Sequence, residues 1–186
     1  MKLYPYVMLT CLAFILHLPR NYCFDQGSIN LVLDSIEVVL FGEVIDVSEL
    51  NIENRYKIVT VVDGDDPNFM AQLKEIGKAI DKIGSHSPYT FMIYVRGDNI
   101  DPASYGIGDK GLFFKYPLLY DSQDAFRKAN PTVSKLDGYS VFLLDSDSEI
   151  LLKNYSFSDE FVSTVIEHSQ NHPKFIDSPL PRPKPL

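Results

Sequence analysis

The residues best suited by type to do chemistry are the aspartates of Asp63-Gly64-Asp65-Asp66-Pro67-Asn68. Carboxylates crowded at one turn can hold a hard cation, serve as nucleophile and general acid, or accept the free amides at a helix start. Their neighbours set the context. Tyr56–Val62, just before them, is a nearly unbroken apolar and β-branched run, the composition of a strand covered on both faces. After them Phe69, Leu73, Ile76, Ile80 and Ile83 recur at steps of four and three, so they line one face of a helix. Gln72, Lys74, Glu75, Lys78, Asp81 and Lys82 cover its other faces, and Gly84 supplies the stop. Asp66 then reads as the N-cap and Pro67 as the first helical residue, where a missing N–H costs nothing. A second strand-like run, Tyr89–Val95, completes a βαβ unit with a right-handed crossover. In such units ligands bind beyond the carboxyl ends of the parallel strands, which is where these aspartates fall.

A strand followed by D-x-D is also how phosphatases of the haloacid dehalogenase type begin. In that reading Asp63 would be the nucleophile, Asp65 the general acid, and magnesium would sit between them. No later lysine and paired aspartates accompany it. Asp145, Asp147 and Glu149 repeat the spacing after another strand, which marks D-x-D here as turn chemistry. Weak calcium binding by Asp63, Asp65 and Asp66 is the metal alternative, and no cofactor is implied. The other reactive residues are scattered. The two cysteines, Cys11 and Cys23, cannot build a zinc site, and if the leader is removed Cys23 alone remains. Cys23 is then either chemically idle or a reactive thiol. His17, His86, His168 and His172 have no cysteine or triad partner beside them. Arg96-Gly97-Asp98 matches the integrin-binding tripeptide, a pattern short enough to recur by chance.

The chain has 186 residues, 45% of them hydrophobic, enough for one domain of ordinary size with terminal extensions. A net charge of −8 argues against nucleic acid or an anionic membrane surface as partner, since both need clustered lysine and arginine. Residues 1–22 read as a signal peptide or membrane anchor. Lys2 gives the positive start, and Tyr4–Leu18 is apolar but shorter than the roughly 20 residues that span a bilayer. The expectation is export, to the periplasm or to a membrane-attached place in the cell envelope.

Residues 23–55 form an N-terminal extension: a short helix over Asp25–Asp34, a strand over Glu37–Phe41 ended by Gly42, and a second apolar stretch in Val44–Asn54. The main domain covers 56–170. Past its βαβ unit come a glycine- and aspartate-rich loop, an extended Lys115–Tyr120, and a helix capped by Asp121 or Ser122 that turns Phe126 inward and closes at Asn130-Pro131. Tyr139–Leu144 is a strand, Asp145–Ser148 a tight turn, and Glu149–Lys153 its antiparallel return. Ser156 and Asp159 suggest a capping pair for a last helix to His168, with Phe161, Val162, Val165 and Ile166 inward. Residues 171–186 are a proline-rich tail with too few apolar groups to join a core.

This order resembles the thioredoxin fold. KYPLLYDSQDAFRKAN followed by YSVFLLDSDSEIL looks like the second half of exported bacterial thioredoxin-like proteins of the peroxiredoxin and TlpA kind. The resemblance implies an α/β fold with a central mixed sheet of about four to five strands flanked by helices. Redox-active members carry C-x-x-C at the start of the first long helix. The matching positions here are Asp66, Pro67, Asn68 and Phe69, so D-P-N-F replaces that motif. Such members also carry a proline before the strand that matches Tyr139–Leu144, where this chain has Leu136-Asp137-Gly138-Tyr139. The expected protein is a non-catalytic binding or structural module with a degenerate redox site. Its partner is an unidentified protein or small molecule, and membrane attachment through the N-terminal segment stays open. The alternative is a thiol-disulfide oxidoreductase or peroxiredoxin-type enzyme acting through Cys23 or through a partner's thiols.

Overall fold

The computed structural model describes residues 27–50, 52–53, 55–84, 89–98, 114–131 and 141–171. Seven strands form one sheet: β1 (Glu37–Leu40), β2 (Glu43–Ile45), β3 (Tyr56–Asp63), β4 (Tyr89–Arg96), β5 (Leu118–Tyr120), β6 (Val141–Leu144) and β7 (Ile150–Asn154). Among the described residues three α-helices accompany them: α1 (Phe69–Ile83), α2 (Ala125–Ala129) and α3 (Asp159–Asn171). The strand order is β2-β1-β5-β4-β3-β6-β7. β3, β4 and β5 are mutually parallel, and the remaining pairs are antiparallel.

The apolar run of β3 is explained by its place in the middle of the sheet. Ile58 and Val62 face one core, with Phe69, Leu73, Ile76 and Ile80 of α1 and Phe161 and Val165 of α3. Val59 and Val61 face the other, with Met92, Tyr94, Phe126 and Ile36. Each of those α1 side chains is nearly fully buried, which contributes about 1.5–3 kcal/mol apiece relative to exposure. Gly84 ends α1 as its sequence position suggests: its φ is +92°, and its N–H donates to the Ile80 carbonyl at 3.0 Å.

Several expectations need correction. The sheet has seven strands, not four to five, because the 37–45 hairpin joins it through β1–β5 pairing and β5 adds a parallel strand beside β4. That hairpin turns through Phe41 and Gly42, both at positive φ, the geometry that matches strand twist. No helix forms over residues 27–34; Ser28 makes an isolated bridge to Glu149, and a turn at 34–35 is closed by the Ile36 amide donating to the Leu33 carbonyl at 3.1 Å. Ile29, Leu31, Leu33 and Ile36 do turn apolar groups to the core, but against the sheet rather than along a helix face. α2 starts at Ala125, later than expected, because Asp124 is left-handed at φ +52°. Ser158 rather than Ser156 begins α3, and its hydroxyl accepts the Phe161 amide at 3.1 Å. Phe126, Phe161, Val162 and Val165 are buried as their spacing suggests. Residues 1–26, 136–139 and 172–186 lie outside the described residues, and with them both cysteines, the missing-proline position and the tail.

Candidate functional site

Parallel pairing brings the carboxyl ends of β3, β4 and β5 to one edge. Asp63 lies opposite Arg96, and Val95 opposite Tyr120. The chain leaves β3 through two successive turns. The Asp66 amide donates to the Asp63 carbonyl at 3.2 Å, and the Phe69 amide to the Asp66 carbonyl at 2.9 Å. The helix follows only then, at Phe69, with Asn68 as the boundary residue and no side-chain cap from it. Asp66 is therefore not the helix N-cap, nor Pro67 the first helical residue. The Asp66 carboxylate instead closes the preceding turn. One oxygen accepts the Asn68 amide at 2.7 Å and the other the Gln72 side-chain amide at 3.0 Å. Pro67 and Asn68 are exposed, and Phe69 is buried in the core beneath α1.

The other two candidate cation ligands point to separate tasks. Asp63 holds the Arg96 guanidinium at 2.6 Å with one oxygen and the Asp65 amide at 3.1 Å with the other. Asp65 accepts the Asp98 amide at 3.1 Å. Among the described residues no group of three or more histidines, cysteines or acids is arranged to hold a metal ion. The same bonds bear on the D-x-D and tripeptide readings: Asp63 is paired with a cation, and Arg96 is turned inward to it.

Around these residues lies an open cavity of about 220 Å³, lined by Asp63, Asp65, Arg96, Asp98, Asp121 and Asp124 among others. Asp124 did not stand out in the sequence, and Asp121 did so only as a cap for the helix that follows β5, the role its carboxylate takes here. The signal for a place at this edge was position, directly after the third parallel strand. Asp121 is buried, and its two oxygens accept the amides of Ala125 and Phe126 at 2.7 and 2.8 Å. Its charge reaches Tyr94 beneath, whose hydroxyl is pushed above its ordinary pKa by burial first and by Asp121 second. His168 is remote from this edge. It lies near the start of β4, with Nδ1 2.9 Å from the Tyr89 hydroxyl. That hydroxyl donates its one proton to the Val165 carbonyl, so His168 Nδ1 is the donor to Tyr89.

A test of the Asp66 geometry follows directly. Asp66→Ala removes acceptors for two partners at a partly exposed turn and is expected to cost about 0.5–2 kcal/mol. Asp66→Asn keeps an acceptor for the Asn68 amide and should stay close to wild type. Thermal unfolding of the three proteins checks this; equal midpoints for alanine and wild type would show that the bonds are immaterial.

A parallel βαβ unit, an antiparallel hairpin on the far side of β3 and α3 packed on α1 define a thioredoxin-like fold. Solved structures agree. The chain is similar to the thioredoxin domain of a thiol-disulfide oxidoreductase from Bacteroides vulgatus, at TM-score 0.57 and 12% identity over 79% of this chain and 99% of that one. A thiol:disulfide interchange protein from Bacteroides sp. gives 0.55 and 12%, covering 81% and 94%. AhpC of Enterococcus faecalis, a peroxiredoxin, gives 0.56 and 14%, covering 84% and 100%. No family model matches the chain, and no curated protein matches its sequence. At these identities the likeness establishes the fold.

Proposed function

We propose that this is a non-catalytic thioredoxin-fold protein of the cell envelope, serving as a binding or structural module. The observation that supports this is the residue set at the turn between β3 and α1. D-P-N-F occupies it, and no cysteine occurs anywhere after Cys23. Thiol catalysis at a helix start needs a thiolate that attacks and leaves, with its pKa lowered by the helix end. The Asp66 carboxylate is an anion in a similar place, but it cannot exchange disulfides, and its oxygens already bind Asn68 and Gln72. Purified protein is therefore expected neither to reduce insulin disulfides nor to consume peroxide with a thiol donor. Turnover that scales with protein concentration would overturn the reading.

A second reading is a thiol redox enzyme acting through Cys23 or through a partner's thiols. What favours it is that the structural neighbours are named as thiol-disulfide oxidoreductases and a peroxiredoxin. Cys23→Ser tests its Cys23 form: any activity in cells survives if the module is non-catalytic and is lost if Cys23 is the working thiol, while the assays with an added thiol donor test the form that uses a partner's thiols. Export rests on the apolar Tyr4–Leu18 stretch; among the described residues no helix is long and apolar enough to cross a membrane. Fractionation should recover the protein outside the cytoplasm, and a full-length cytosolic pool would reject export.

A further inference from the structure

Arg55 stands one residue before β3 and is only 8% exposed. Its guanidinium carries five N–H donors and a charge that it does not lose in a protein. Among the described residues nothing accepts from those donors. The ion pairs there are Lys78–Glu75, Lys82–Asp159, Arg96–Asp63 and Lys115–Asp81, and no hydrogen bond ends on the Arg55 side chain. No carboxylate acts on its charge either: burial alone does so, and lowers the pKa. The guanidinium nitrogens are not among the fully buried, unbonded atoms, so a solute can reach them.

Withdrawing an unpaired cation from water is strongly unfavourable, so buried charges are ordinarily paired or hydrogen-bonded. Lys57, two residues on, shows how this fold settles one. Its ammonium donates to the carbonyls of Arg55, Asp145 and Ser146, with the charges of Asp145 and Asp147 nearby. Arg55 receives neither kind of support. A chain of net charge −8 has carboxylates to spare, so the missing partner is not a shortage of acids. The setting is the amino end of β3, where Tyr56 pairs with Tyr89 and the 145–148 turn stands on the other side. A guanidinium is a planar fork whose parallel N–H groups match two oxygens of one carboxylate or phosphate.

We propose that Arg55 is an oxyanion-binding residue, whose guanidinium takes one carboxylate or phosphate group of a small molecule from solution. The site lies at the opposite end of β3 from the turn that leads into α1, so it stands or falls independently of the redox question.

Thermal unfolding of the full chain at constant ionic strength tests this. In chloride, Arg55→Met should unfold at or above the wild-type midpoint, because methionine keeps most of the stem and removes an unpaired charge. Inorganic phosphate or acetate, each replacing about 20 mM of the chloride, should raise the wild-type midpoint by about 2 °C or more in at least one case. The anion that acts names the group. Arg55→Met should lose that shift, and Arg55→Lys, which keeps the charge without the fork, should show a smaller one. Lys74→Gln, which removes an exposed charge from α1, should respond as wild type does. Three results would each overturn the proposal. One is no shift with either anion, and another is an equal shift in wild type and Arg55→Met. The third is an Arg55→Met protein that is less stable than wild type in chloride, which would show the guanidinium already paired within this chain.

Discussion

Raising the pH through about 10 to 11.5 should unfold the protein in one cooperative step, with stability falling by about 4 kcal/mol per pH unit. Three buried tyrosines carry the effect. Tyr89, Tyr94 and Tyr116 are 2%, 0% and 6% exposed, and burial is the leading cause that raises each hydroxyl above its ordinary pKa. Asp81, which accepts the Tyr116 hydroxyl at 2.7 Å, adds to its shift. A folded pKa above the unfolded one means stability that is fully present below about pH 10 and lost as pH climbs toward the folded value. Each such group contributes a slope of about 1.4 kcal/mol per unit. Lys57 opposes this only at lower pH. Burial lowers its pKa, so its contribution rises with pH up to about 10.4, the ordinary lysine value, and is flat above it. Absorbance at 295 nm and circular dichroism check the expectation together. At least three of the eleven tyrosines should ionise only as the fold is lost. Tyr94→Phe should reduce the slope by about 1.4 kcal/mol per unit. Complete ionisation with the fold intact would refute the argument.

The second large effect is expected at Lys57, a lysine inside a run of β-branched and apolar residues. It is 3% exposed, and its ammonium donates to three carbonyls: Arg55 at 3.1 Å, Asp145 at 3.2 Å and Ser146 at 2.7 Å. One cation thus ties the start of β3 to the turn between β6 and β7, with the charges of Asp145 and Asp147 nearby. That turn is also held by the Asp145 carboxylate, which accepts the amides of Asp147 and Glu149 at 2.9 Å each. Lys57→Met keeps most of the stem and removes every donor, taking this partner from the Arg55 and Ser146 carbonyls and leaving the Asp145 carbonyl with the Ser148 amide at 3.3 Å. The expected loss is about 2–4 kcal/mol, a large part of the roughly 5–15 kcal/mol that a domain possesses. Urea unfolding should show a lower midpoint with an unchanged slope. A midpoint equal to wild type would mean that water replaces the ammonium at no cost.

The sequence by itself determined what depends on local period and turn chemistry. The β3–α1–β4 unit was legible because a β-branched run, a four-and-three repeat and Gly84 each state one local preference, and all agree. The inward faces of α1 and α3 followed from the same repeat. The place of the turn between β3 and α1 was legible as the edge where the parallel strands end, because a βαβ unit delivers the carboxyl ends of its strands to one side. Tertiary structure decided the rest. Ile29, Val32, Leu33 and Ile36 have a helical spacing, yet residues 27–36 form no helix, because the sheet face and Asn130, a hundred residues from Asn30 in sequence, offer their main chain better partners than a short isolated helix could. Lys57 carries no local signal in the strand run; its role appears only where the 145–148 turn supplies carbonyls to its ammonium. Asp121 and Asp124 joined Asp63 and Asp65 only because β5 lies beside β4. In each case the energy comes from groups far apart in the chain, and spacing along one segment carries no record of them.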